Sequence, residues 1–254
     1  MKLIDTHTHL YLKDFDEDID EVITRGVAAG IKKFYLPAID SSKTSRVFSL
    51  QEKYPDNCFA MVGLHPCSVK ADYKKELSMV YNSLSTTRYS GIGETGLDFY
   101  WDRTFEKEQY LALEKQLEWA IEFSSPIILH TRNATQETID VIKPYAAKGV
   151  KGIFHCFGGT LSEAEQIIEM GFYLGIGGVV TYKNSGLDKV LAEVNLKYVV
   201  LETDSPYLTP VPFRGKRNES SYLKYVANKV AEIKGVSVED VGEITTRNAE
   251  KVFN

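Results

Sequence analysis

Residues 2–9 read KLIDTHTH, a short apolar run that passes into a polar segment with two histidines. Because side chains alternate between the two faces of a β-strand, Asp5, His7 and His9 are expected to share one face here. Seven further runs rich in Val, Ile, Phe and Tyr follow, and each is short enough to be a strand. They cover residues 32–39, 58–65, 89–95, 126–132, 151–157, 172–178 and 197–204.

Longer segments with a helical spacing of apolar residues separate these runs. Eight strand-then-helix units predict an α/β fold, a single (β/α)8 TIM barrel that takes up residues 1–254 as one domain. An open, doubly wound sheet of eight strands is the less economical alternative. The predicted helices include residues 16–29, 104–123, 135–147 and 162–169, and residues 220–234 and 238–253 are expected to complete the outer ring.

The composition is that of a globular protein, with 43% hydrophobic and 26% charged residues among 254. Thirty Lys and Arg against 35 Asp and Glu give a net charge of −5, which argues against coating of nucleic acid by bulk positive charge. No targeting segment and no run of about 18 apolar residues is present, so no membrane contact is expected. Three cysteines without paired metal spacing indicate free thiols in a reducing compartment, and we expect a cytoplasmic monomer.

The chain has five histidines, and all of them fall at the carboxyl end of a predicted strand. In a barrel these strand ends converge on one mouth, so the five imidazoles are expected to meet in a single cavity. One histidine at a strand end is more often a satisfied structural residue than a ligand, but five in equivalent places favour a shared site. They are His7, His9, His65, His130 and His155.

Carboxylates accompany the histidines at the same predicted mouth. Glu94 lies in GIGETG at the end of the fourth run, and Glu202 and Asp204 lie in VVLETDSP at the end of the eighth. The alternative is an internal salt-bridge network, but the nearby sequence offers few Lys or Arg to neutralise these groups. A mixed nitrogen and oxygen set of this size suits two divalent cations. Asp98 is interpreted as a loop or helix-cap residue rather than a ligand.

The expected charges narrow the chemistry. Two divalent cations carry +4 and the carboxylates of Glu94 and Asp204 return −2, which leaves +2. A metal-bound hydroxide and a singly charged phosphodiester would balance that charge. Hydrolysis is therefore the reaction class that the sequence predicts.

Seven motifs, in order along the whole chain, resemble those of the TatD family of metal-dependent deoxyribonucleases: DTHTHL, GLHP, GETGLDFY, LHTR, FHCFGG, LETDSPYL and PFRGKRNE. The resemblance implies that one metal is held by His7, His9, Glu94 and Asp204. It also implies that a second metal is held by Glu94, His130 and His155, so that Glu94 bridges the two.

The resemblance also implies a substrate and a set of roles. The substrate is the end of a DNA strand, cleaved by a 3′-to-5′ exodeoxyribonuclease in which His65 and Arg214 hold the phosphate. We expect Asp204 to orient the attacking hydroxide and accept its proton, with Glu94 as the shared catalytic ligand. Glu202 is expected to orient a ligand or a bound water. Imidazole ligands favour Zn²⁺ or Mn²⁺ over Mg²⁺, although members of the family are often regarded as Mg²⁺-dependent.

Several alternatives stay open at this point. Arg214, Lys216 and Arg217 form a basic cluster that either contacts phosphates or is a solvated loop. Tyr100, Trp101 and Phe157 could stack nucleic-acid bases, although aromatic residues after barrel strands more often pack as a lid. The same dinuclear site could hydrolyse a small ester, amide or phosphate. A non-catalytic metal-binding protein is the remaining reading, and it predicts closed coordination without room for water.

Overall fold

The eight predicted strands are present in the computed structural model, which describes residues 1–254, and all of their pairings are parallel. Hydrogen-bonded neighbours run in chain order, as β1-β2-β3 and as β4-β5-β6-β7-β8. The strands are β1 Leu3–Asp5, β2 Ile31–Pro37, β3 Cys58–Met61, β4 Ile92–Asp98, β5 Ile127–Arg132, β6 Gly152–Phe154, β7 Tyr173–Ile176 and β8 Val199–Leu201.

Backbone hydrogen bonds beyond the strand ends close the two groups into one barrel. Between β3 and β4, the amide of Gly93 donates to the carbonyl of Val62 at 2.9 Å. Between β8 and β1, the amide of Thr6 donates to the carbonyl of Leu201 at 3.1 Å, and the amide of Asp204 donates to that of His7 at 2.9 Å. The fold is therefore the predicted (β/α)8 barrel, and the open-sheet alternative is wrong.

Nine α-helices surround the barrel, and none of them has both the length and the apolar character needed to cross a bilayer. Two of the helices begin at clear side-chain caps: Thr160 and Glu163 form a reciprocal capping box, and Ser237 accepts the amide of Asp240 at 3.1 Å. The helices are α1 Ile19–Ala28, α2 Ser41–Lys53, α3 Tyr73–Thr86, α4 Glu106–Glu122, α5 Thr135–Ala146, α6 Leu161–Glu169, α7 Leu187–Glu193, α8 Leu223–Lys234 and α9 Val238–Phe253.

The core has two parts. Fifty-three buried residues form the layer that includes the helix faces around the barrel. A second cluster of eight buried residues includes Ile4, Met61 and Val200 from the strands together with Ala249 and Val252 from α9. Helix α9 thus packs against apolar side chains of the barrel strands, and the polar strand ends are left for the opposite mouth.

Seven of the eight observed strands are shorter than the predicted runs, whereas β4 has the predicted length and ends three residues later, at Asp98. β1 ends at Asp5, two residues before His7, and β3 ends at Met61, four residues before His65. Only His130 of the five histidines lies inside a strand. The other four occupy the first residues of the loops, where the backbone has left the ladder and can turn inward.

A bidentate ion pair fixes the long loop after β8 to the outer ring of helices. On α1, Arg25 donates to both carboxylate oxygens of Glu219, through Nε at 3.0 Å and through Nη2 at 2.7 Å. Burial alone would raise the pKa of Glu219, but the hydrogen bonds from Arg25 and Ser221 and the nearby arginine charges together outweigh it and lower the pKa. This contact anchors the end of the segment that carries Arg214.

We predict that Glu219→Gln lowers the free energy of unfolding by about 1–2 kcal/mol at neutral pH, because Arg25 loses its bidentate partner and keeps only the ion pair with Asp18. The folded pKa of Glu219 lies below the unfolded value, so this stabilisation is complete above about pH 4.3 and is lost as the pH falls further. Urea unfolding over a pH series measures the difference. Glu243→Gln, on an exposed pair of α9, is the control, and a pH-independent loss for Glu219→Gln would contradict the assignment.

Candidate metal centre

The structure brings all five histidines and the carboxylate of Glu94 together at the barrel mouth. The side-chain oxygens of Glu94 face two different groups of imidazoles. Oε2 lies 3.3 Å from Nε2 of His7 and 3.4 Å from Nε2 of His9. Oε1 lies 3.0 Å from Nδ1 of His130 and 3.0 Å from Nε2 of His155. Glu94 is thus the one residue common to both groups.

Asp204 completes the first group. Its Oδ1 lies 3.4 Å from Nε2 of His9 and 3.7 Å from Nε2 of His7, and those two nitrogens are 3.2 Å apart. Ligand atoms around a tetrahedral ion with bonds of about 2.0–2.1 Å lie about 3.3–3.4 Å from one another. The two histidine nitrogens therefore lie close to this spacing from each other and from the oxygens of Glu94 and Asp204.

The tautomer of His9 also fits a cation. The hydroxyl of Tyr11 donates to the carbonyl of Pro37 at 2.7 Å, so it can only accept from Nδ1 of His9, 2.9 Å away. The proton on Nδ1 leaves the lone pair of Nε2 directed at the oxygens of Glu94 and Asp204. Two facing lone pairs need a proton or a metal ion between them.

In His130 the two ring nitrogens have the opposite roles: Nε2 faces a hydrogen-bond partner, and Nδ1 faces Glu94. Its Nε2 lies 2.8 Å from Oδ2 of Asp98. Burial would raise the pKa of Asp98, but the hydrogen bonds from His130 and from the amides of Trp101 and Tyr100 together outweigh it and hold the pKa well below its usual range. The proton of the imidazole therefore lies on Nε2, and the lone pair of Nδ1 faces Oε1 of Glu94. A carboxylate that orients a metal-binding histidine in this way is a common feature of metal sites.

Glu202 lies behind the other imidazole of the second group. It is fully buried, and its Oε1 accepts the amide of Cys156 and lies 3.3 Å from Nδ1 of His155. A Cβ at Gly175 would lie 2.3 Å from Oε2 of Glu202, so glycine at this position of β7 makes room for the carboxylate. The position of Glu202 suits the predicted role of orienting a ligand.

His65 differs from the other four histidines. Its Nδ1 accepts the amide of Cys67 at 3.0 Å, which places the proton of the neutral ring on Nε2. Burial lowers the pKa of His65, which favours this neutral form. Its Nε2 lies 3.3 Å from Oε1 of Glu94. His65 therefore presents a hydrogen-bond donor to the cavity, whereas a metal ligand must present a lone pair.

No lysine or arginine lies within 4 Å of Glu94 or Asp204; every ion-pair partner of these carboxylates is an imidazole. Burial would raise the pKa of Glu94, but the charges of the surrounding imidazoles hold it well below its usual range. Burial would lower the pKa of His9 and His155, yet nearby acidic groups hold both well above their usual range. Protons on the imidazoles thus balance the charges of the carboxylates. A metal ion that binds here must displace these protons.

Asp204 sits at the rim of the site. Its side chain is 13% exposed, against 3% for Glu94. Its backbone adopts φ of +56°, a left-handed conformation that Asp and Asn tolerate better than most residues. The carboxylate of Asp204 is therefore the acidic group of the site with the easiest access to a water molecule entering from the mouth.

Of the three basic residues in the loop after β8, only one has an acidic partner. Arg217 pairs with Asp18 at 2.7 Å, so its charge is already balanced. The guanidinium of Arg214 lies over the ring of Tyr182 at 4.4 Å and makes no ion pair within 4 Å. Lys216 is similarly without an acidic partner and lies 5.8 Å from the ring of Phe213. Arg214 and Lys216 remain available to an anionic ligand.

Two contacts at the site escape prediction from sequence. Asp98 binds His130 in addition to accepting the amides of Tyr100 and Trp101, so the cap interpretation covers only half of its role. A signal was present, because Asp98 lies four residues after Glu94 and shares its face in a regular strand. The hydroxyl of Tyr11 on His9 had no comparable signal, since its position depends on the carbonyl of Pro37.

Comparisons with known proteins show the family of this chain. A family model described as TatD related DNase matches residues 4–254. The metal-dependent hydrolase YabD of Bacillus subtilis is 38% identical, over 99% of this chain and 98% of its own length. The 3′-5′ ssDNA/RNA exonuclease TatD of Pectobacterium parmentieri is 29% identical over 99% of each chain. The crystal structure of YJJV, a TATD homolog from Escherichia coli K12, superposes with a TM-score of 0.93 at 28% identity and covers 99% of this chain and 98% of that one.

We predict that Asp98→Asn weakens the binding of one divalent cation by about 10–100-fold. An amide nitrogen facing Nε2 of His130 would favour the tautomer protonated on Nδ1, which has no lone pair for a ligand. Titration calorimetry of the metal-depleted protein with Zn²⁺ or Mn²⁺ measures the affinity. Asp102→Asn, at an exposed carboxylate of the same loop, is the matched control. Unchanged affinity in Asp98→Asn would show that His130 does not bind the metal through Nδ1.

Proposed function

We propose, from the premise that this chain belongs to the TatD related DNase family of metal-dependent hydrolases, that it removes nucleotides from the ends of DNA strands in the 3′-to-5′ direction. The observation that carries the proposal is the bridging position of Glu94. One oxygen of this carboxylate faces His7 and His9, and the other faces His130 and His155. A shared carboxylate between two imidazole groups suits a pair of divalent cations.

Two groups that share Glu94 have possible ligand atoms within 4.8 Å of one another: His7, His9 and Glu94, and His65, Glu94 and His130. His7, His9, Glu94 and Asp204 would hold one ion, and Glu94, His130 and His155 would hold the other. Bound divalent cations polarise a phosphodiester and lower the pKa of a coordinated water towards neutrality. Imidazole nitrogens outnumber carboxylates among the ligands, which favours Zn²⁺ or Mn²⁺ over Mg²⁺.

The remaining groups take the roles that their geometry allows. The carboxylate of Asp204, at the rim, accepts the proton of the attacking water through one of its oxygens. His65 donates through Nε2 to a non-bridging oxygen of the phosphate, because its own Nδ1 is already occupied by the amide of Cys67. Arg214, which has no carboxylate partner, binds a neighbouring phosphate of the strand. A footprint of two or three phosphates is compatible with a chain of net charge −5.

Digestion of end-labelled DNA tests the proposal. The purified protein is analysed for bound metal and then given single-stranded DNA labelled at either end, with bis(4-nitrophenyl) phosphate as a small diester. A 3′ label should appear at once as a mononucleotide, whereas a 5′ label should pass through a ladder of shortening strands. Glu94→Ala should abolish both metal binding and cleavage. Turnover of the small diester without any cleavage of DNA would replace the proposal with a small-molecule hydrolase.

We predict that Asp204→Asn lowers kcat for DNA about 10²–10⁴-fold, the usual contribution of a positioned general base. An asparagine oxygen can still ligate, so metal content should stay measurable, and it is determined on the same sample. Near-normal turnover in a variant that retains both ions would disprove the role of Asp204 as the base.

A further prediction concerns salt. If two or three phosphates are neutralised, the logarithm of the binding constant for single-stranded DNA should fall with the logarithm of salt concentration at a slope of about −1.5 to −2. Arg214→Ala should reduce the magnitude of this slope by about 0.7, the value of one phosphate contact on a single strand. Arg247→Ala, on the outer helix α9, is the charge-matched control. A slope that Arg214→Ala leaves unchanged would remove Arg214 from the binding surface.

A further inference from the structure

Three aromatic side chains of this protein are exposed, and all three follow the carboxyl ends of barrel strands. Tyr100 is 52% exposed and Trp101 is 66% exposed in the loop after β4, and Tyr207 is 54% exposed in the loop after β8. The remaining aromatic side chains are buried or partly buried. Aromatic surface left in water beside a catalytic cavity is typical of a binding surface rather than of packing. Phe157, by contrast, is 3% exposed and packs in the hydrophobic core, so its ring is not part of this surface.

The backbone of Tyr100 and Trp101 is fixed by Asp98, the carboxylate that also contacts His130. Oδ1 of Asp98 accepts the amide of Tyr100 at 2.9 Å and the amide of Trp101 at 3.0 Å. Oδ2 of the same carboxylate lies 2.8 Å from Nε2 of His130. The start of this loop therefore has a fixed position relative to the imidazole group, as a preorganised binding surface requires.

Arg132 adds a cation to these two rings. It lies two residues beyond His130 on β5, and its guanidinium is 4.0 Å from the ring centre of Tyr100 and 5.1 Å from that of Trp101. Arg132 is exposed and makes no ion pair within 4 Å, so no carboxylate of the protein neutralises it. A cation stacked on aromatic rings, with its charge free, combines the two features that bind a base and the phosphate attached to it.

We propose that Tyr100, Trp101 and Arg132 form a nucleotide-binding platform, on which an unpaired base near the cleaved phosphate stacks against Trp101 while Arg132 binds an adjoining phosphate. This inference rests on the proposed function and adds a binding site to it. Stacking uses the π face that every base shares, so the platform accepts any base. It accepts only bases that are not stacked inside a duplex, which restricts the enzyme to single strands and frayed ends.

Tryptophan fluorescence gives a readout of stacking that is independent of hydrolysis. The chain has two tryptophans, and Trp119 is 4% exposed, so a base that binds at the platform should quench Trp101 alone. The probe is a thymidine oligonucleotide with phosphorothioate linkages, which resist cleavage, titrated into the metal-loaded protein. An abasic oligonucleotide of equal length and charge is the second probe. Trp101→Phe supplies the background signal of Trp119.

We expect the thymidine probe to quench the emission of Trp101 and the abasic probe to leave it nearly unchanged. Trp101→Ala should weaken binding of the thymidine probe by about 5- to 150-fold, the range found for loss of one stacked base. It should also lower the ratio of kcat/KM for single-stranded DNA to kcat/KM for bis(4-nitrophenyl) phosphate, chiefly through KM. Tyr145→Ala removes an aromatic ring that is paired with Lys148 beyond the last turn of α5, and it is the matched control.

The outcomes separate this inference from the proposed function. Equal quenching by both probes, or no quenching, would overturn the platform even if DNA is degraded. An unchanged kcat/KM ratio in Trp101→Ala would also overturn it. Quenching by the thymidine probe alone, in a protein that cleaves no DNA, would support the platform and overturn the exonuclease assignment.

Discussion

The negative charge of Glu94, buried among five imidazoles, is the constraint on which the rest of the site depends. A carboxylate that is 3% exposed requires compensation, and no lysine or arginine is within reach. The imidazoles can supply it only by taking up protons or by sharing metal ions. Tyr11 and Asp98 each hold the imidazole proton on one ring nitrogen, so Nε2 of His9 and Nδ1 of His130 present lone pairs to a cation.

The barrel makes this charge distribution possible. Parallel strands end at one mouth, so side chains from β4 and β5 and from the loops after β1, β3, β6 and β8 converge although they are far apart in sequence. The opposite face is closed by apolar packing of α9, which offers no comparable polar surface. The side chains of the candidate metal centre are therefore reached from one mouth, which the loops after the strands surround.

Much of this architecture can be predicted from the sequence, because apolar runs and helical spacing record which faces are buried. All eight strands, and helix α9 over residues 238–253, are found where these patterns predict them. The ends of β1 and β3 are overestimated, since the chain leaves the ladder before His7 and His65 without a change in composition. The histidine tautomers and the pairing of Arg217 with Asp18 depend on partners distant in sequence, and no local pattern encodes them.

The shared use of Asp98 links recognition to chemistry in this protein. One oxygen of Asp98 fixes the imidazole of His130, and the other fixes the backbone that carries Tyr100 and Trp101. A shift of the loop would therefore disturb the metal ligand, and a change at the metal would disturb the exposed rings. Since Arg132 follows His130 on the same strand, its position is tied to the same point. A single buried carboxylate thus sets the distance between the place where a phosphodiester would be cleaved and the surface that would select the strand.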